Sequence, residues 1–241
     1  MLLNKFPNQI VKTDKLVPVK NLSVVELAKK NLGKIRIETF KDEAKPNQFI
    51  TLLRDKSNNI LGKDFFAYEE NKPNATELYI ETIPLLRQKG FGLGEVLRLF
   101  SIIFILKNKI EEVEMFSKSG AVYFHSKYNF EPAIKNFEER NFALKNIIRN
   151  CQNELQEYKL KAEDLLKRCE QNKSAEEQRN LCKETNILLK KYINEVLQTK
   201  DKYKSHPFDY GFRMVLKTEN IRNNNAFFNN LFKKHGIDYV I

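Results

Sequence analysis

The sequence predicts an α+β fold: a mixed, mainly antiparallel central sheet flanked by helices, with an antiparallel coiled-coil helical hairpin inserted near the C-terminal end. Three observations predict it. Strand-like runs follow one another after Pro46, a glycine-rich turn then feeds an apolar helix, and a long stretch almost free of Gly and Pro carries heptad-like apolar spacing. Strand patterning resumes after Pro207.

Residues 9–20 read as a strand, and Ser23-Val24-Val25-Glu26 is a capping-box pattern that predicts a helix ending near Gly33, a short βα opening. Residues 48–54, 60–68 and 77–83 predict an antiparallel meander. The first two runs are joined by Asp55-Lys56-Ser57-Asn58-Asn59, whose polar side chains suit a hairpin turn. The third run stops at Pro84, and Gly90-Phe91-Gly92-Leu93-Gly94 opens a helix whose apolar side carries Leu93, Val96, Leu97, Phe100 and Phe104. A strand over 113–116, a short helix over 121–127 and a turn at Asn129 follow.

The texture changes from about Phe137 to Tyr203. Leu144, Ile148, Cys151, Leu155, Tyr158, Ala162, Leu165 and Cys169 fall on one helical seam. Ser174-Ala175-Glu176-Glu177 is a second capping box, from which a helix returns with Leu181, Leu188, Tyr192 and Val196 facing the first. A strand over 211–217, a helix over 226–234 and a last strand over 237–241 complete the chain. The organisation expected is a core over 1–132, an inserted hairpin over 133–205 and the remainder of the core over 206–241.

A chain of 241 residues with 41% apolar content can bury one core plus an appended element. Its net charge of +11 favours an anionic partner: a phosphate-bearing cofactor, nucleic acid or an acidic protein surface. The longest apolar run, 99–106, is far short of the roughly twenty residues a membrane span needs, and the N-terminus lacks a signal-peptide pattern, so a soluble, cytoplasmic protein is expected. Cys151, Cys169 and Cys182 form neither a CxxC pair nor a Cys/His cluster, which points to a reduced compartment and no metal.

Consecutive N–H groups at a tight turn and a helix N-terminus bind anions, and glycine admits a diphosphate without a Cβ in its path. The segment from Pro84 to Gly94 supplies such a turn with cations beside it. It is no Walker loop, since no Gly-Lys-Ser/Thr follows, and a dinucleotide fingerprint would require a parallel unit. A glycine-rich connection without a ligand remains the alternative.

Arg87-Gln88-Lys89-Gly90-Phe91-Gly92, preceded by Thr82-Ile83-Pro84, resembles the acyl-CoA motif of the GNAT superfamily of N-acetyltransferases. Lys89-Gly90-Phe91-Gly92-Leu93-Gly94 fits the same motif in a second register, with the same turn supplying the N–H donors. Roughly thirty residues on, Ala121-Val122-Tyr123-Phe124-His125-Ser126-Lys127-Tyr128-Asn129-Phe130 is similar to a second motif of that family. The resemblance covers residues 48–132 and the strand over 211–217, and leaves the hairpin out.

The resemblance implies acetyl-CoA as cosubstrate and acetyl transfer to an amine of an unidentified acceptor, protein or small molecule. It places Thr82, Ile83, Arg87, Gln88, Lys89, Gly90, Phe91, Gly92, Leu93, Gly94 and Phe124 at the cofactor. Glu77 stands where related enzymes carry a glutamate base, and Glu81 is the second candidate; Glu77, Tyr79, Glu81 and Ile83 alternate onto one strand face. His125 holds the place of the family's thiolate-protonating tyrosine, and Asn129 replaces a glycine, which Asn tolerates in the left-handed conformation. Ordinary solvated carboxylates and a helix-surface histidine are the structural alternatives.

A second class of function is a catalytically weak CoA-binding module whose hairpin recruits a partner protein; a nucleic-acid-binding protein is a third. The hairpin's mixed charges fit a solvated coiled coil better than a nucleic-acid arm, and it would support a homodimer, hold a partner protein or cover the acceptor site.

Overall fold

The computed structural model describes residues 16–18, 25–29, 33–69, 72–82, 91–170, 174–199 and 206–241. Its internal contacts divide the chain into two compact units, Met1–Val113 with Lys217–Ile241, and Glu114–Leu216.

In the first unit the alternation of Ile35, Ile37 and Thr39, all buried, against Arg36, Glu38 and Phe40 makes a ten-residue strand, β3 (Gly33–Asp42). It pairs with β4 (Lys45–Asp55), and β5 (Ile60–Tyr68) and β6 (Asn74–Thr82) extend the meander, each pair antiparallel. The polar turn before β5 closes as its composition predicts: the Asp55 carboxylate accepts from the N–H groups of Ser57 and Asn59, each at 2.9 Å. On the other edge of β3 lie two short strands, β1 (Leu16–Pro18) and β2 (Val25–Lys29).

The strand β2 corrects the expected helix. Val25 pairs with Ile37 and Lys29 with Gly33, so the segment completes the ladder of β3, whose N–H and C=O groups on that edge would otherwise lack partners. A capping pattern is a local signal, and an open sheet edge overrides it. Ser23, which begins the pattern, lies outside the described residues.

The helix α1 (Leu93–Lys107) lies on one face of this sheet. Its Phe104 ring meets Phe49 at 5.1 Å and Phe66 at 5.2 Å. Leu93, Val96, Leu97, Phe100 and Phe104 are buried as expected, and so are Leu99, Ile102, Ile103 and Ile105, so the helix is covered nearly all round.

Two helices, α6 (Thr218–Asn223) and α7 (Asn225–Lys234), also pack against α1; the labels α2 to α5 belong to the second unit. The last strand expected over 237–241 is absent. Gly236, at φ 66, terminates α7 in a Schellman motif, with Gly236 N–H bonded to Lys233 O and Ile237 N–H to Phe232 O. Ile241 N–H then bonds Asn229 Oδ1, so helix capping takes the backbone groups a strand would need.

Most of β7 (Glu112–Ser117) and β9 (Phe212–Lys217), and all of β8 (Glu131–Pro132), fall in the second unit, neighbours in the order β7, β9, β8, with β8 and β9 antiparallel. The short helix α2 (Val122–Lys127) precedes Asn129, which adopts φ 65, the left-handed conformation expected of it. The helices α3 (Phe137–Asn150), α4 (Gln156–Glu170) and α5 (Ala175–Gln198) follow. The helix start at Ser174 is observed: Ser174 Oγ accepts from Glu177 N–H and Glu177 Oε2 from Ser174 N–H.

The single long seam is not formed. Cys151 is extended, α3 and α4 pack on each other and on α5, and three helices replace the expected two. The run Asn150-Cys151-Gln152-Asn153 has low helix propensity, which favours a break there, and Cys151 Sγ bonds the Leu155 carbonyl across it. Asn186 ties α5 to the strand layer of this unit through both backbone groups of Ile134, at 2.9 and 3.1 Å. Among the described residues no helix is long and apolar enough to cross a membrane.

Candidate functional site

The strand β6 carries both candidate carboxylates, and its pairing with β5 is irregular at one point. Phe66 faces Glu77 and Phe65 faces Tyr79, so Leu78 is an extra residue, a β-bulge. Period-two alternation breaks there. Ala75 and Glu77 share a face with Phe66 and Tyr68, against α1, whereas Tyr79 and Glu81 lie on the opposite face with Phe65 and Lys63. The expectation that Glu77, Tyr79 and Glu81 share one face is therefore corrected: one inserted residue reverses every side chain beyond it.

On the α1 face, Glu77 Oε2 accepts from Arg98 Nη1 at 2.6 Å, and both side chains are fully buried. Asp64 is buried beside them. Burial first, and the neighbouring Glu77 second, push the Asp64 carboxyl well above its ordinary range, against the pull of Arg98. The Ser101 hydroxyl touches both Asp64 Oδ2 and the Leu97 carbonyl. Glu77 is thus engaged in joining β6 to α1.

On the opposite face, Phe65 and Tyr79 stack at 4.5 Å, and the Lys63 ammonium lies over both rings at 5.8 and 5.3 Å. Lys63 Nζ also pairs with Glu81 Oε1 at 3.0 Å. Burial disfavours the Lys63 cation, but Glu81 and Tyr79 more than offset this and its pKa is raised; burial likewise raises that of Tyr79. The Glu81 side chain keeps 38% of its surface exposed, so it is a carboxylate that a solvent-borne amine can reach.

Thr82 ends β6, buried and paired with Gly62. Ile83, Arg87, Gln88, Lys89 and Gly90 lie outside the described residues; Phe91, Gly92, Leu93 and Gly94 lie within them. Gly92 is the N-cap of α1 at φ 70, ψ 20, a conformation glycine adopts without strain, and it turns the chain directly into the helix. The first-turn N–H groups of a helix have no intrahelical partners, and with the helix dipole they attract anions. Glu95, in that turn, is bonded to His235 Nε2 and Lys234 Nζ, each at 2.6 Å.

His125 belongs to the second unit. It is buried on α2, its ring edge-on to Phe124 at 5.2 Å and to Phe130 at 5.7 Å. Phe124 also meets Tyr128, and Tyr123 donates its hydroxyl proton to the His206 carbonyl. Among the described residues no group of His, Cys, Asp and Glu could hold a metal ion.

Three residues of consequence escaped the sequence reading. A lone cation in the apolar run of α1 was the available signal for Arg98, whereas Lys63 and His235 carry no local mark, the latter being 140 positions from Glu95.

No family model matches the chain, and no curated protein matches it. Solved structures similar to it include GNAT-family acetyltransferases, the family whose motifs the sequence resembles. GCN5 from Tetrahymena is 14% identical over 39% of this chain and 57% of its own, with a TM-score of 0.33. A GNAT-family acetyltransferase from Elizabethkingia anophelis with acetyl-CoA bound is 18% identical over 39% of this chain and 63% of its own, TM-score 0.33. Nourseothricin acetyltransferase is 16% identical over 49% of this chain and 71% of its own, TM-score 0.33. The chain thus spans less than two thirds of the length of the first two.

Proposed function

We propose that the protein is an acetyl-CoA-dependent N-acetyltransferase of the GNAT superfamily, acting in the cytoplasm on an amine of a protein or small molecule. The observation that carries this reading is the left-handed Gly92 that opens α1 in the same unit as β6, the strand that carries Glu81. An anion-binding helix start and an accessible carboxylate then belong to one unit.

Acetyl transfer needs a neutral amine, a polarised thioester carbonyl and a proton for the departing sulfur. Glu81 takes the proton from the acceptor ammonium, and Lys63 holds its carboxylate in place. Glu77 acts through Arg98 on the placement of β6 against α1. His125 gives the proton to the thiolate. The main-chain N–H groups of Phe91, Gly92, Leu93 and Gly94, with Arg87, Gln88, Lys89 and Gly90, hold the diphosphate; Thr82, Ile83 and Phe124 contact the rest of the cosubstrate.

The burial of His125 among aromatic rings favours a second reading, CoA binding without efficient transfer, with the helical insert holding a partner or a second copy of the chain. Acetyl transfer to a panel of polyamines, lysine peptides and peptides with free N-termini separates the two. Glu81→Gln is expected to lower turnover by roughly 100-fold with acetyl-CoA affinity unchanged. Bound CoA with no turnover on any amine supports the second reading, and absence of CoA binding excludes both.

A further inference from the structure

We infer that His235 is a positioning residue for the cosubstrate turn: with Lys234, it engages and neutralises the Glu95 carboxylate beside the anion-binding start of α1. The inference rests on the function proposed above and adds two residues that neither the motifs nor the resemblance identifies.

Glu95 is the third residue of α1 after its N-cap Gly92. A glutamate at this position commonly folds back onto the N-cap N–H, and the same chain shows it elsewhere: Glu177, third after Ser174, accepts from the Ser174 N–H at 2.8 Å. In α1 such a fold-back would place a carboxylate on the N–H groups that a diphosphate needs, and its charge would repel the ligand.

Here Glu95 Oε1 is bonded to two cation-bearing side chains at the end of α7, His235 Nε2 and Lys234 Nζ, each 2.6 Å away. The His235 ring also closes against the turn itself, since its Cε1 would stand 3.3 Å from a Cβ on Gly92. The backbone that carries the ring is capped. His235 N–H bonds the Leu231 and Phe232 carbonyls, and the Gly236 cap locks the end of α7. The C-terminal helix therefore sets both the charge and the shape of the first turn of α1, although it is remote from that turn in sequence.

The test is calorimetric titration of coenzyme A into the full chain and its variants. His235→Ala is expected to weaken binding roughly tenfold, and Lys234→Ala roughly threefold, through released Glu95. In steady state the KM for acetyl-CoA rises while kcat is held. Glu95→Gln added to either variant is expected to restore the affinity of Glu95→Gln alone, a rescue that loss of packing around His235 would not permit. Unchanged affinity in His235→Ala, or a loss that Glu95→Gln does not restore, overturns the inference. Should His235→Ala fail to fold, the Lys234→Ala pair of variants decides by the same criterion. Wild-type protein that binds no coenzyme A overturns the functional reading and this inference together, whereas normal wild-type binding with indifferent variants overturns the inference alone.

Discussion

Removing the Arg98 guanidinium leaves the Glu77 carboxylate fully buried with its cation gone, and the expected consequence is loss of stability before any effect on chemistry. Charge centres about 4 Å apart attract by about 4 kcal/mol at the effective dielectric that suits protein sites. Desolvation of both groups offsets much of this in the intact protein, but Arg98→Met keeps the burial of Glu77 and discards the attraction. Breaking a buried pair in this way costs about 3 to 5 kcal/mol. Urea unfolding followed by far-ultraviolet circular dichroism should show the midpoint of Arg98→Met falling with little change in slope. The double variant Arg98→Met with Glu77→Met replaces both charges by apolar side chains and should recover most of the loss. An Arg98→Met midpoint equal to wild type, or a double variant as unstable as the single, would refute the assignment of Glu77 to a structural pair.

Two further outcomes follow from the same geometry. Asp64 has a folded-state pKa well above its ordinary 3.8, so the folded protein holds a proton that the unfolded chain releases as pH rises above about 4. Its contribution is complete below that pH and is lost on approach to the raised pKa; as pH rises above about 4, urea midpoints should therefore fall less for Asp64→Asn than for wild type. A Cβ on Gly211 would stand 1.9 Å from the Ser117 carbonyl oxygen, whereas one on Gly120 meets nothing within 4 Å. Gly211→Ala should destabilise by about 3 kcal/mol or more and Gly120→Ala by less than about 0.5 kcal/mol, as thermal unfolding would show.

What the sequence made legible were features whose cause is local. The meander after Pro46, the Asp55 turn, the buried side of α1, the left-handed Asn129 and the capping box at Ser174 each depend on residues within a few positions of one another. The errors arose where distant pairing decides. The segment β2 became a strand because β3 offered an open edge, and the alternation of Ile35, Ile37 and Thr39 that announces β3 was present but unread. The bulge at Leu78 has no sequence mark, yet it moves Glu81 to the face opposite Glu77. Of the candidate site, the glycine turn and the two carboxylates were visible in advance. Their partners Lys63, Arg98 and His235 were not, because each is brought in by packing between elements rather than by a motif.

In the proposed function, main-chain N–H groups at the start of α1 receive the diphosphate of a coenzyme. Amide chemical shifts recorded while coenzyme A is added to the isotopically labelled protein test it most directly. The expected result is that the largest changes fall on Gly92, Leu93 and Gly94 and saturate at one ligand per chain. Signals of these three amides that stay still at saturating coenzyme A, with or without movement elsewhere, would contradict it.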